Sequence, residues 1–145
     1  MGASCHVFTY GTLLFPEVME AVAGRVFASV PATLAGFARV CVRGAVYPGA
    51  REEAGGSIAG LLHRDVDAAA LARLDRFEGE LYERRRVRVA LGDGTSIDAE
   101  VYVVPPTFAA RLEPRAWDPD RFRREHLAAY LARCRAGRVA EEYDG

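Results

Sequence analysis

Cys5-His6-Val7-Phe8-Thr9-Tyr10-Gly11-Thr12-Leu13-Leu14-Phe15-Pro16-Glu17 is the stretch from which the fold is read. Residues 5 to 10 are β-favouring and predict a strand that stops at Gly11. A helix follows almost at once: Pro16 suits a first helical turn, Glu17 sits at the positive end, Val18, Ala21 and Val22 form an apolar face, and Gly24 supplies the stop. The unit is a strand, a glycine turn and a helix. Such a turn can aim free N–H donors at a carboxylate or oxyanion. Glycine in a strand-to-helix turn also has a plainer use, as a source of backbone freedom, so the turn alone does not decide for an anion site.

From Val26 to Val66 the pattern is strand-like and punctuated by Pro31, Gly36, Gly44, Pro48-Gly49 and Gly55-Gly56, which predicts several short strands. The Tyr47-Pro48-Gly49 turn and the Arg51-Glu52-Glu53 loop could rim a site or simply be the solvated end of a hairpin. A helix is predicted from a cap at Asp65 or Asp67 to about Phe77. Next comes a hairpin: Val87, Val89 and Leu91 alternate with Arg86, Arg88 and Ala90, Asp93-Gly94 makes the turn, and Ile97, Ala99, Val101 and Val103 alternate with Ser96, Asp98, Glu100 and Tyr102. One apolar face on each strand is expected. Pro105-Pro106 ends the hairpin, and Trp117-Asp118-Pro119 opens a final amphipathic helix whose inner stripe is Phe122, Leu127, Tyr130, Leu131 and Cys134. Residues 1–137 are read as one domain and 138–145 as a disordered tail. The fold class is α+β, built on a curved or closed mixed sheet.

Composition narrows the chemistry. The chain has 145 residues, half of them hydrophobic, enough for one core without staples. A net charge of −1 leaves no electrostatic footprint for nucleic acid or an anionic membrane, although there are 19 basic residues. All of those are arginine, and the lack of lysine removes Schiff-base chemistry, a Ser-Lys dyad and a phosphate-loop lysine. Cys5, Cys41 and Cys134 are odd in number and scattered, which fits reduced thiols in a cytoplasmic protein. The first residues have no basic, apolar leader pattern, and no run is long enough to span a membrane. His6, His63 and His126 lack paired-ligand spacing, so no metal is expected.

Glu78 is the residue on which the chemistry turns. It shares the i, i+3, i+7 face of Leu71 and Leu74, so a helix that holds to its end directs this carboxylate inward. A glutamate near a helix end is ordinarily a solvated charge. Here the negative end of the helix dipole and the inward spacing both disfavour the ionised form, which raises a carboxyl pKa toward the range of a general base. Other candidates fail. Cys5 and His6 are strand neighbours on opposite faces, the Arg84-Arg85-Arg86 and Arg88 stripe suits a protected edge strand as well as a nucleic-acid site, and no Gly-x-Ser-x-Gly elbow is present.

Taken together, Val7 to Leu14, Ala32-Thr33-Leu34-Ala35-Gly36, Val46-Tyr47-Pro48-Gly49, Ile58-Ala59-Gly60-Leu61-Leu62, Leu74-Asp75-Arg76-Phe77-Glu78-Gly79, Tyr82-Glu83-Arg84 and Val101-Tyr102-Val103 resemble, in this order, the gamma-glutamylcyclotransferase-like superfamily. The similarity is nearest to the short branch typified by plant avirulence-induced-gene-like proteins. The resemblance implies a small mixed β-barrel with a few flanking helices and a cavity. It implies that Tyr10, Gly11, Thr12 and Leu13 bind the glutamyl head group, that Glu78 is the catalytic acid/base, and that Tyr82 and Tyr102 line the pocket. The expected activity is a cofactor-independent acyl transfer within a small gamma-glutamyl substrate, releasing 5-oxoproline and an amine, in a monomer or weak homodimer. The same pocket could serve a non-catalytic module that senses an amino-acid head group.

Overall fold

In the computed structural model, residues 4–137 are described; the tail expected to be disordered, 138–145, lies outside them. Strand β1 (Ser4–Thr9) ends before Gly11. A short 3₁₀ turn, Thr12–Leu14, then leads into α1 (Pro16–Ala23), with Pro16 in its first turn and Gly24 closing it at φ 91°. This is the strand, turn and helix predicted.

Between Val26 and Val66 the structure departs from the expected series of short strands. Two long strands stand there instead, β2 (Ser29–Val42) and β3 (Pro48–Asp67), paired antiparallel along most of their length. The reason is that the glycines bend the ribbon without ending it. Pairing passes from Ala35 opposite Ser57 to Phe37 opposite Glu52, so β3 carries extra residues at this point and both strands turn. Gly36 and Gly55 take positive φ there, 85° and 80°. Twenty residues extended would reach about 66 Å, whereas a compact chain of this size has a radius of gyration of about 15 Å, so β3 has to bend.

Helix α2 (Ala68–Glu78) starts from Asp67, whose carboxylate accepts the Ala70 N–H at 2.7 Å, and stops at Gly79. The hairpin of β4 (Glu83–Leu91) and β5 (Ser96–Val103) follows. β5 differs from expectation in burying both faces from Ala99 onward, because Glu100 and Tyr102 lie beneath other elements and not toward solvent. A further strand, β6 (Leu112–Ala116), was not foreseen. The final helix is split into α3 (Pro119–Glu125) and α4 (Leu127–Ala136) by His126, whose ψ of −21° at φ −130° breaks the helical run.

The strand order is β3-β1-β5-β4-β2-β6, and the extra β2–β3 pairing brings the first five strands into a ring with β6 attached outside. β1 and β5 run parallel and the other pairs antiparallel, so the barrel is mixed, with thin seams at β1–β5 and β2–β4. All five ring strands send residues to one inner cluster, through Phe8, Leu34, Leu62, Val89 and Val101. A second cluster on the outer side joins Val7 and Val66 to Phe15, Val18 and Met19 of the first helical segment, Leu74 of α2, and Phe122 and Tyr130 of α3 and α4. Among the described residues no helix is long and apolar enough to cross a membrane.

The bend can be tested at Gly56, where an added Cβ would sit 2.7 Å from the Phe37 carbonyl oxygen and 3.0 Å from that of Glu53. Both are backbone atoms in the ladder and cannot swing aside. Gly56→Ala should cost about 1–3 kcal/mol in urea melts, whereas Gly92→Ala, with nothing within 4 Å of its Cβ, should leave the midpoint nearly unchanged. Equal midpoints for the two variants would refute the role given to the bend.

Candidate active site

A cavity of about 620 Å³, counting its open mouth, lies where the end of β1, the end of α2 and the Tyr47-Pro48 segment converge. It is lined by Tyr10, Gly11, Thr12, Leu13, Glu78, Tyr82 and Tyr102, which are the positions singled out in the sequence. Tyr47, Phe77, Leu81 and Tyr130 complete most of the wall. None of its described lining residues is an arginine, despite the number of arginines in the chain.

Local structure explains how each group arrives. The 3₁₀ turn uses Leu14 N–H on the Gly11 carbonyl at 3.0 Å and Phe15 N–H on the Thr12 carbonyl at 3.2 Å. The N–H groups of Gly11, Thr12 and Leu13 are left without a backbone acceptor among the described residues. Gly11 has φ −124°, so it is not there for a left-handed backbone. Its role is room: a Cβ would come within 2.8 Å of the Pro48 ring. From the outside, Arg39 donates to the Tyr10 carbonyl at 3.0 Å while stacking over Trp117, which fixes the peptide leading into the turn.

The tyrosine hydroxyls are committed. Tyr10 donates to the Tyr102 carbonyl at 2.6 Å and accepts from Ala50 N–H at 3.0 Å. Tyr82 donates to the Pro48 carbonyl at 2.6 Å, Thr12 donates to the Tyr130 hydroxyl at 3.2 Å, and Tyr102 donates to the Asp75 carboxylate at 2.7 Å. Burial pushes the Tyr10, Tyr82, Tyr102 and Tyr130 hydroxyls up from their ordinary values, so all four are neutral at physiological pH. The wall is therefore rigid and uncharged.

Glu78 is the exception. It ends α2 in the cavity wall, half-buried by exposure yet enclosed by aromatic rings, and no described residue donates a hydrogen bond to its carboxylate. Burial first, and then the charge of Asp75 one turn earlier, push its pKa up to about 8. The direction agrees with the sequence argument. Among the described residues no group of His, Cys, Asp or Glu is arranged to hold a metal ion.

Residues 7–124 match the family described as gamma-glutamyl cyclotransferase, AIG2-like. The chain belongs to this family. It is 35% identical over 102 residues to AIG2-like protein C of Arabidopsis thaliana, a match that covers 70% of this chain but 59% of that relative. The solution structure of another Arabidopsis thaliana protein superposes with a TM-score of 0.69 at 28% identity, covering 99% of this chain and 87% of that one. A solved gamma-glutamyl cyclotransferase shares the fold, with a TM-score of 0.65 at 20% identity over 77% of this chain and 69% of its own.

Two features of this AIG2-like site escaped sequence reasoning. Tyr130 reads as core from its helical stripe, and only the packing of α4 against α1 brings its hydroxyl to Thr12. The arginines of β4 read as a protective edge stripe, but β4 lies between β5 and β2, and each of these arginines has a carboxylate partner. Arg84 reaches Asp75 at 2.9 Å and Glu100 at 2.5 Å, which ties the hairpin to α2 beside the cavity. The reciprocal spacing of Asp75, Arg84 and Glu100 carries no signal until the topology is known.

The raised pKa of Glu78 makes a stability prediction. In the unfolded chain this carboxyl titrates near 4.5, and in the folded one near 8. Between those values the folded protein holds a proton that the unfolded chain has released, so the Glu78 contribution to stability falls as pH rises through the window. Glu78→Gln has no such loss. Its melting temperature relative to wild type should rise between about pH 4 and about pH 9, and a constant difference would show that Glu78 titrates normally.

Proposed function

We propose that this chain is a cofactor-independent gamma-glutamylcyclotransferase-type acyltransferase in which Glu78 is the acid/base. The observation that carries the reading is a carboxylate to which no described residue donates a hydrogen bond, sharing one pocket with a glycine turn and a wall of tyrosines, where burial pushes its pKa up to about 8. In a gamma-glutamyl amide the α-amine attacks the side-chain carbonyl of the same molecule. A ring C–N bond forms, the amide C–N bond breaks, and 5-oxoproline and an amine leave. Glu78 takes a proton from the nucleophilic nitrogen and returns one to the departing nitrogen, so no water is consumed.

The energetics suit this assignment. A carboxyl pushed up to about 8 lies nearer the range of an α-amine than an ordinary glutamate does, so proton exchange with Glu78 is less uphill. An ordinary glutamate would be a weak base for the task. The Gly11 to Leu13 N–H groups hold the substrate carboxylate or the developing oxyanion, and Tyr10, Tyr82 and Tyr102 shape the cavity around the folded substrate. Family membership supports the reaction class. The leaving group belongs to the class of amino acids, cysteinylglycine, a cross-linked lysine side chain or a biosynthetic amine. The proposal includes a cytoplasmic setting, argued from the scattered cysteines.

The purified protein should release 5-oxoproline from members of a gamma-glutamyl panel, read by mass spectrometry. Glu78→Gln should fold, bind substrate and lose turnover by a factor on the order of 10²–10⁴. A substrate acetylated on its α-nitrogen should not react. Amine release from the acetylated compound would mean hydrolysis by water, and wild-type turnover in a folded Glu78→Gln protein would remove the base from the mechanism.

A further inference from the structure

Glu78 does not act from an electrically empty wall. Asp75 stands one turn before it on α2, at the i, i+3 spacing that makes neighbours on a helix surface. The Asp75 carboxylate is held from two directions, by the Tyr102 hydroxyl at 2.7 Å and by Arg84 Nε at 2.9 Å, both on the same oxygen. Arg84 is held in turn by Glu100 at 2.5 Å, and the second Glu100 oxygen meets Arg86 at 3.4 Å. Glu100 is buried, so this end of the chain is fixed inside the fold.

We propose that Asp75 is a positioning residue for Glu78, a fixed charge whose influence on when Glu78 gives up its proton is set by its ion pair with Arg84. The proposal rests on the acid/base role given to Glu78 above, and it goes further by assigning the tuning of that group to residues outside the cavity lining. Two functions meet in one contact. Tyr102 lends its ring to the cavity and its hydroxyl to Asp75, so the residue that shapes the wall also anchors the tuning charge.

The groups facing Glu78 are the hydroxyls of Tyr10 just after β1, Tyr82 after α2, Tyr102 on β5 and Tyr130 on α4, all neutral. Tyr47 from the segment before β3 joins the same wall. Among the described residues, Asp75 is the charged group that acts on Glu78 directly, from one turn earlier on α2. Around Asp75 itself are Arg84 on β4, Glu100 and Tyr102 on β5, and the Cys5 thiol on β1. Since the Asp75 side chain is 42% exposed, solvent and salt moderate its field.

The two halves of the ion pair make opposite predictions. Asp75→Asn keeps an acceptor for Tyr102 and removes the negative charge, so the Glu78 titration midpoint should fall by about one pH unit. Arg84→Met uncovers Asp75 and should raise the midpoint, while Arg84→Lys, which keeps the charge, should leave it near wild type. Carbon-13 NMR of the Glu78 carboxyl, assigned by its loss in Glu78→Gln, reads these midpoints without reference to turnover. High salt should shrink the difference between wild type and Asp75→Asn. An unmoved midpoint in Asp75→Asn overturns the inference, as does a fall in Arg84→Met; should Arg84→Met not fold, the Asp75→Asn titration decides alone. A parallel 5-oxoproline assay keeps this separate from the reaction itself, since a protein that turns over no gamma-glutamyl compound can still show the midpoint shift.

Discussion

The geometry of the whole molecule depends on a ribbon that must bend. β2 and β3 are too long to lie straight in a domain of this size, and the irregular pairing around Gly36 and Gly55-Gly56 lets each strand serve two sides of the ring. The first half of β2 pairs with β4 through Ala32 and Thr33, and its second half with β6 through Val40 and Val42. β3 likewise pairs with β2 near Pro48 and with β1 near Leu61. Without the bend, Pro48 and the end of β1 could not approach, and Tyr82 would lose the carbonyl that holds its hydroxyl.

That closure sets the dielectric environment of the cavity. Rings from β1, α4, β5 and the segment after α2 surround the end of α2, so Glu78 is removed from much of its water while its neighbours stay neutral. Each wall hydroxyl named above is already bonded to a backbone carbonyl, a carboxylate or another hydroxyl. For Tyr10, Tyr82 and Tyr102, whose protons are donated to the Tyr102 and Pro48 carbonyls and to Asp75, this tie prevents the hydroxyl from turning to solvate the carboxylate. The result is a carboxyl whose proton affinity is governed by burial and by one charge behind it, with no described residue donating a hydrogen bond that would return it to the ordinary carboxylate range.

Much of this was legible in the sequence where the signal is local. The β1 turn, a cap at Asp67 (one of two aspartates offered), the end of α2 near Phe77, the Asp93-Gly94 hairpin and the inward direction of Glu78 all follow from spacings within about a dozen residues. The failures share a cause. Gly36 and Gly55-Gly56 look like strand ends because glycine both ends and bends strands, and only the pairing partner distinguishes the two. Glu100 alternates as a solvent-facing residue, yet it is buried because Arg84 and Arg86 arrive from the neighbouring strand to neutralise it. Tyr130 and Asp75 belong to the site through contacts spanning 118 and 27 positions in the chain, a distance at which no periodicity speaks.

The absence of arginine from the cavity lining has a chemical consequence for the proposed reaction. An arginine beside Glu78 would stabilise the carboxylate and lower its pKa, taking it further from the range of an amine. The proposed substrate head group would still need to be held, and with no arginine among the described lining residues the proposal gives that task to backbone dipoles in the turn from Gly11 to Leu13, which Arg39 supports from behind through the Tyr10 carbonyl. A backbone donor recognises a carboxylate without bringing a full positive charge near the base. With Arg39 behind the turn and Arg84 behind Asp75, both guanidinium groups stand one layer away, so their charge can serve positioning while the proposed base stays close to the point where it could both accept and release a proton.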